Sequence, residues 1–162
     1  MDQTDAVAQT GTQPTEAGQA ESGQADRSGL LASAPAIEGE TFSRVSLTPA
    51  AVELLGKLRE THGRLMFHQS GGCCDGSAPM CYPAGDFLTG PADVLLGVFE
   101  LPGDPATAEL EFWISREQFE YWKHTLLTVD VVEGRGSGFS VEAPEGKRFL
   151  IRSTLLQDPA GP

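Results

Sequence analysis

The sequence predicts an α+β fold: a single compact domain of short, mainly antiparallel strands with two helices. Three observations carry this reading. Beyond Phe42 the chain shows several apolar runs of strand length, separated by Gly, Pro and Asp turn residues. Two stretches instead open with helix-start chemistry, at Thr48-Pro49 and at Ser115. No internal repeat and no alternating strand–helix–strand pattern runs through the chain, which argues against a dinucleotide-binding fold.

Taken in order, residues 1–41 read as a disordered acidic tail. Up to residue 40 they carry seven acidic residues, one basic residue and no aromatic one. Such a segment buries too little surface to offset the entropy of ordering it. The domain is expected over residues 42–157, followed by a flexible C-terminus at 158–162. Thr48 suits an N-cap and Pro49 the first helical position, and Leu47 and Val52 are placed for a hydrophobic staple. Val52, Leu55 and Leu58, with Leu54 beside them, form one apolar face, and Gly63 ends the helix as a left-handed cap. Arg64 to His68 reads as a strand that delivers the chain into a loop. Phe87–Gly90 reads as a short strand, and Asp93–Leu101 as a buried one. Pro102–Pro105 is a turn, and Ala108–Ile114 alternates as a half-buried strand should. Ser115 to Gln118 forms a capping box for a second helix, which packs through Phe119 and Trp122. Thr125–Glu133 is strand-like. Phe139–Glu142 and Arg148–Leu155 read as two strands joined at Ala143–Gly146.

Composition bounds the function. The chain has 162 residues, a length suited to one domain, and a net charge of -12. So acidic a balance argues against nucleic-acid partners and against an anionic membrane surface. No apolar run approaches the roughly 20 residues that span a bilayer. The start Met-Asp-Gln-Thr-Asp lacks the basic and apolar regions of a secretory signal. Three cysteines, close together in sequence, do not make a disulfide framework, so a reducing, cytoplasmic setting is expected.

Those cysteines, Cys73, Cys74 and Cys81, all lie in the Gly-rich stretch from His68 to Tyr82, together with Asp75. As metal ligands the three thiolates would need a fourth group, from His68, Asp75, a water or a second subunit of a homodimer. Adjacent cysteines point to opposite sides of an extended chain, and Cys74 to Cys81 is longer than the usual C-x₂₋₄-C spacing. An open site therefore suits the spacing better than a closed zinc ribbon. An iron–sulfur cluster, iron or zinc is the expected cofactor, and no nucleotide cofactor is. A second reading is thiol chemistry, with His68 as base and a Cys73–Cys74 or Cys74–Cys81 disulfide as a redox switch. In a third, the cysteines are small buried hydrophobes that only shape the loop of an interaction module. His62, at a helix end, suits capping or solvent, and His124 suits a structural role. Gly134–Gly138 lacks a phosphate-loop pattern and reads as a flexible turn. Trp113, Tyr121 and Trp122 suit core or pocket wall, and Met80 and Tyr82 flank Cys81.

The stretches Leu-Thr-Pro-Ala-Ala, His-Gln-Ser-Gly-Gly-Cys-Cys-Asp-Gly-Ser-Ala-Pro-Met-Cys and Gly-Ser-Gly-Phe-Ser-Val-Glu lie between Leu47 and about Leu156. Through them the chain resembles a bacterial domain-of-unknown-function family (number 779). The resemblance implies genes beside those of aldehyde dehydrogenases, and hence such an enzyme as a partner. It also implies that some members carry the name acetaldehyde dehydrogenase by association. The residues do not support that activity: there is no Rossmann glycine motif, and the folded part is too short for a cofactor domain plus a catalytic one. The chain is also similar to A-type iron–sulfur carriers (HesB-like proteins) in its Thr-Pro-Ala-Ala helix start, Gly-Gly-Cys loop and Gly-Ser-Gly-Phe stretch. Cys73 matches their first cysteine, but their C-terminal Cys-Gly-Cys pair has no counterpart, since residues 143–162 hold no cysteine. The expected function is a small cytoplasmic metal- or iron–sulfur-binding accessory or carrier protein. The alternative is a thiol-based redox protein, or a thiol enzyme acting on an electrophile such as an aldehyde.

Overall fold

The computed structural model of the protein describes residues 29–70, 77–134 and 139–156. Among the described residues are two α-helices and nine strands, and the strands form two sheets. The strands are β1 (Leu31–Ala32), β2 (Ala34–Pro35), β3 (Val45–Leu47), β4 (Leu65–Gln69), β5 (Met80–Pro83), β6 (Asp93–Glu100), β7 (Glu109–Ser115), β8 (Thr125–Glu133) and β9 (Lys147–Leu155). The helices are α1 (Pro49–His62) and α2 (Arg116–Trp122). One sheet runs β1-β3-β8-β9 and the other β2-β6-β7-β4-β5. The pairs β3–β8 and β4–β7 are parallel, and the remaining pairs are antiparallel.

The core lies where the sheets meet. Phe67 of β4 packs edge-on against Phe149 of β9, with ring centroids 4.9 Å apart, and also touches Phe112 of β7. All three rings are fully buried. Burial of such a side chain stabilises by roughly 1.5–3 kcal/mol. Helix α1 adds Ala51, Leu54, Leu55 and Leu58, and packs on β3, β4 and β8. Its start follows the sequence: Thr48 is extended, and its hydroxyl accepts a hydrogen bond from the Ala51 N–H at 3.2 Å. At its end, Gly63 has φ +77° as expected, but ψ -155° makes it an extended exit rather than a left-handed helical one. Ser115 caps α2 by accepting from the Gln118 N–H. The Gln118 side chain accepts from the Trp122 indole, so the reciprocal half of a capping box is not what it makes.

Four expectations need correction. The fold begins before Phe42, because β1 pairs with β3 and β2 with β6. Two-residue strands use only backbone groups at an open sheet edge, so composition gives little sign of them. Second, Met80–Tyr82, the end of the stretch expected as loop, belongs to the edge strand β5, where Pro83 at the strand end is tolerated. Third, Phe87–Gly90 is not a strand but part of the connection to β6. Fourth, Phe139–Glu142 is a turn leading to a short 3₁₀ helix at Ala143–Glu145. The partner of β9 is β8, whose nine residues pair with all nine of β9. Residues 1–28 of the expected tail, and the C-terminal residues 157–162, lie outside the described residues. No helix among the described residues is long and apolar enough to cross a membrane.

Candidate functional site

The site is built on the hairpin of β4 and β5. Phe67 pairs in register with Cys81 and Phe112, and His68 with Met80 and Trp113. Side chains alternate along a strand. Cys81 therefore shares the core face of Phe67, while His68 takes the opposite, outer face of the same sheet. The structure does not bring these two expected ligands together. Cys73, Cys74 and Asp75 lie outside the described residues. Their place in the chain is nevertheless fixed: they belong to the connection between β4 and β5, which leaves from the end of β4 that carries His68. Among the described residues, no three His, Cys, Asp or Glu side chains form a group that could hold a metal ion.

His68 is buried, with 2% of its surface exposed. Both ring nitrogens are engaged. Nε2 lies 2.7 Å from Asp93 Oδ1, and Nδ1 lies 2.7 Å from Ser70 Oγ. The ring of Phe87 covers one face of the imidazole, with centroids 4.1 Å apart, and Tyr82 backs Phe87 at 5.2 Å. Asp93 is the first residue of β6. Its Oδ2 accepts from the Gly90 N–H at 2.9 Å, and its own N–H donates to Gly90 O at 2.9 Å. Arg116 ties down this turn from α2, donating its N–H to Ala92 O and its Nε–H to Pro91 O. The hydrogen bond with His68 holds the Asp93 carboxyl below its ordinary range against an opposing push from desolvation, and the Gly90 N–H adds to the lowering.

Cys81 sits in a different environment. It is fully buried among the core residues. Its N–H donates to Ser140 Oγ at 2.8 Å, and its carbonyl accepts from the Val141 N–H at 3.0 Å. The Ser140 hydroxyl donates a short hydrogen bond to Glu142 Oε1. Burial pushes the Cys81 thiol well above its ordinary value, and the Glu142 carboxylate adds to that. Glu142 is itself 1% exposed, and burial raises it too, opposed by its hydrogen bonds from Ser140 and the Phe149 N–H. The strand before this connection thus carries a hydrogen-bonded imidazole, and the strand after it carries a buried thiol.

His62 and His124 lie away from the site, at the end of α1 and after α2. Trp113 lines the outer sheet face beside His68 and Trp122 is buried, as expected of wall and core residues, whereas Tyr121 is exposed on α2 and belongs to neither. Sequence reasoning missed Asp93, Ser70, Phe87 and Glu142. The signal for Asp93 was an acid opening a strand that runs apolar from Val94 to Phe99, a position that favours a partnered carboxylate.

No curated protein and no solved structure matches the chain. The family model described as Domain of unknown function (DUF779) matches residues 54–155, a range that includes β4, β5 and the residues between them. The chain therefore belongs to the DUF779 family.

Proposed function

We propose that the protein binds a metal ion or an iron–sulfur centre at the β4–β5 connection and serves as an accessory or carrier protein. The ligands would be His68 and the thiolates of Cys73 and Cys74, with Asp75, a water or a second subunit completing the set. The single observation behind this reading is His68 itself: a buried imidazole gripped by a carboxylate, five residues before the first of two adjacent cysteines in the sequence. A carboxylate on the far nitrogen is the usual support of a metal-binding histidine. The donor set fits a thiolate-binding metal, since imidazole and thiolate suit zinc and iron. Cys81 fits less well, because its thiol is buried in apolar core on the other sheet face, and we assign it to packing. The test is elemental analysis with a UV–visible spectrum of protein purified without oxygen or chelator, as wild type and as Cys73→Ser. Stoichiometric zinc, or iron with charge-transfer bands, lost in the variant, is the expected result. Metal-free wild type contradicts it.

A second reading rests on Ser70, whose hydroxyl stands against His68 as a nucleophile stands against its base. In it, His68 takes the proton of a loop thiol and leaves a thiolate able to attack an electrophile such as an aldehyde. Metal-free protein with one fast-alkylating cysteine would select this reading. An aldehyde dehydrogenase as partner, and a cytoplasmic setting, belong to both readings. Co-purification with such an enzyme, abolished by Cys73→Ser, is the corresponding test of partnership.

A further inference from the structure

We propose that Asp93 is a positioning residue that fixes the tautomer of His68, so that Nδ1 is the atom that binds a metal or takes a proton. Hydrogen-bond direction sets the tautomer. Both Asp93 oxygens are engaged as acceptors: Oδ2 from the Gly90 N–H at 2.9 Å, and Oδ1 against His68 Nε2 at 2.7 Å. A carboxylate has no proton to offer, so Nε2 must carry one. In the neutral ring Nδ1 then holds the lone pair, and the Ser70 hydroxyl donates to it across 2.7 Å. The lone pair faces Ser70, three residues before Cys73 in the sequence.

The carboxylate cannot swing away easily. The Gly90–Asp93 turn closes on its own backbone, and Arg116 holds it at Pro91 and Ala92. Phe87 over one ring face, and β4 paired on both sides, restrain the imidazole in turn. The consequence is specific to Asp93→Asn. The amide has one oxygen and one NH₂ group. If the oxygen keeps the Gly90 N–H, the NH₂ meets Nε2 and forces the proton onto Nδ1.

This inference deepens the proposed centre, but the position of the proton does not depend on whether metal binds. The test is long-range ¹H–¹⁵N correlation of the imidazole nitrogens in metal-free, full-length protein at about pH 8, where a free imidazole is neutral. The His68 signals are identified by their absence in His68→Gln. In wild type, Nδ1 is expected in the range of a bare nitrogen and Nε2 in that of an N–H. In Asp93→Asn the Nδ1–H form gains population, and zinc affinity by titration falls about 10- to 100-fold. Wild type with its proton on Nδ1, or on both nitrogens, overturns the inference. So does an Asp93→Asn protein with unchanged tautomer and unchanged zinc affinity. If Asp93→Asn does not fold, the wild-type spectrum alone decides. If wild type shows the Nε2–H form but binds neither zinc nor iron, the tautomer assignment stands and the metal reading falls.

Discussion

Glu142 has the Ser140 hydroxyl and the backbone N–H groups of Phe149 and of Glu142 itself as hydrogen-bond partners among the described residues, where a buried carboxylate would ordinarily find a cation. Burial raises its folded-state pKa. The folded protein therefore keeps a proton that the unfolded chain has already lost. Stability from this group is fully present below the ordinary glutamate value of about 4.3 and is lost as pH rises through the folded value. Glu142→Gln keeps an acceptor for Ser140 and removes the titration, so its thermal midpoint should decline less than wild type as pH rises above the ordinary glutamate value of about 4.3. Parallel curves in a pH series of melts would remove Glu142 from the account. Cys81 belongs to the same pocket. Cys81→Ser places a hydroxyl in apolar core and should cost about 1–3 kcal/mol in urea unfolding. Neither group announces this in sequence. The Cys81 code reads as one more ligand in a cysteine-rich stretch, and only the register with Phe67 reveals that it faces inward. His68, by contrast, stood out by proximity to the glycines, while its carboxylate partner lies 25 positions along the chain and carries no local signature.

The elements with local chemistry were the legible ones. α1 is specified by Thr48, Pro49 and the spacing of Leu54, Leu55 and Leu58, and it forms there. Thr48→Ala should cost about 0.5–2 kcal/mol through the lost cap. Its hydroxyl also donates to Asp130 Oδ1 at 3.0 Å, so a loss nearer the upper figure is expected from denaturant titration. A negligible shift would mean that neither bond contributes. β7 and β8 were legible from alternation and from their β-branched and aromatic content. β1, β2 and β5 were not, because edge strands of a few residues depend on what lies beside them. Gly97 shows the dependence. It stands at a register shift of β6, and a Cβ there would meet the Ser33 side chain and Val45. Gly97→Ala should destabilise by roughly 1–3 kcal/mol, and a variant as stable as wild type would mean that the β2 crossing yields without cost.

At the scale of the molecule, two sheets facing across a phenylalanine-rich core leave one connection, between β4 and β5, to carry two of the three cysteines. The sheets divide the remaining candidates, His68 outward and Cys81 inward. The α+β class was readable because helix starts and strand runs are local. The division was not, because it follows from which strands pair. The proposed centre accordingly predicts unequal roles for residues that look alike in sequence. The most direct measurement is cobalt(II) titration of the full chain without oxygen, followed by absorbance, for wild type, His68→Gln and Cys81→Ala. The account predicts a thiolate-to-cobalt band that saturates stoichiometrically in wild type and in Cys81→Ala, and is weakened or lost in His68→Gln. No such band in wild type, or a band that needs Cys81 and not His68, would contradict it.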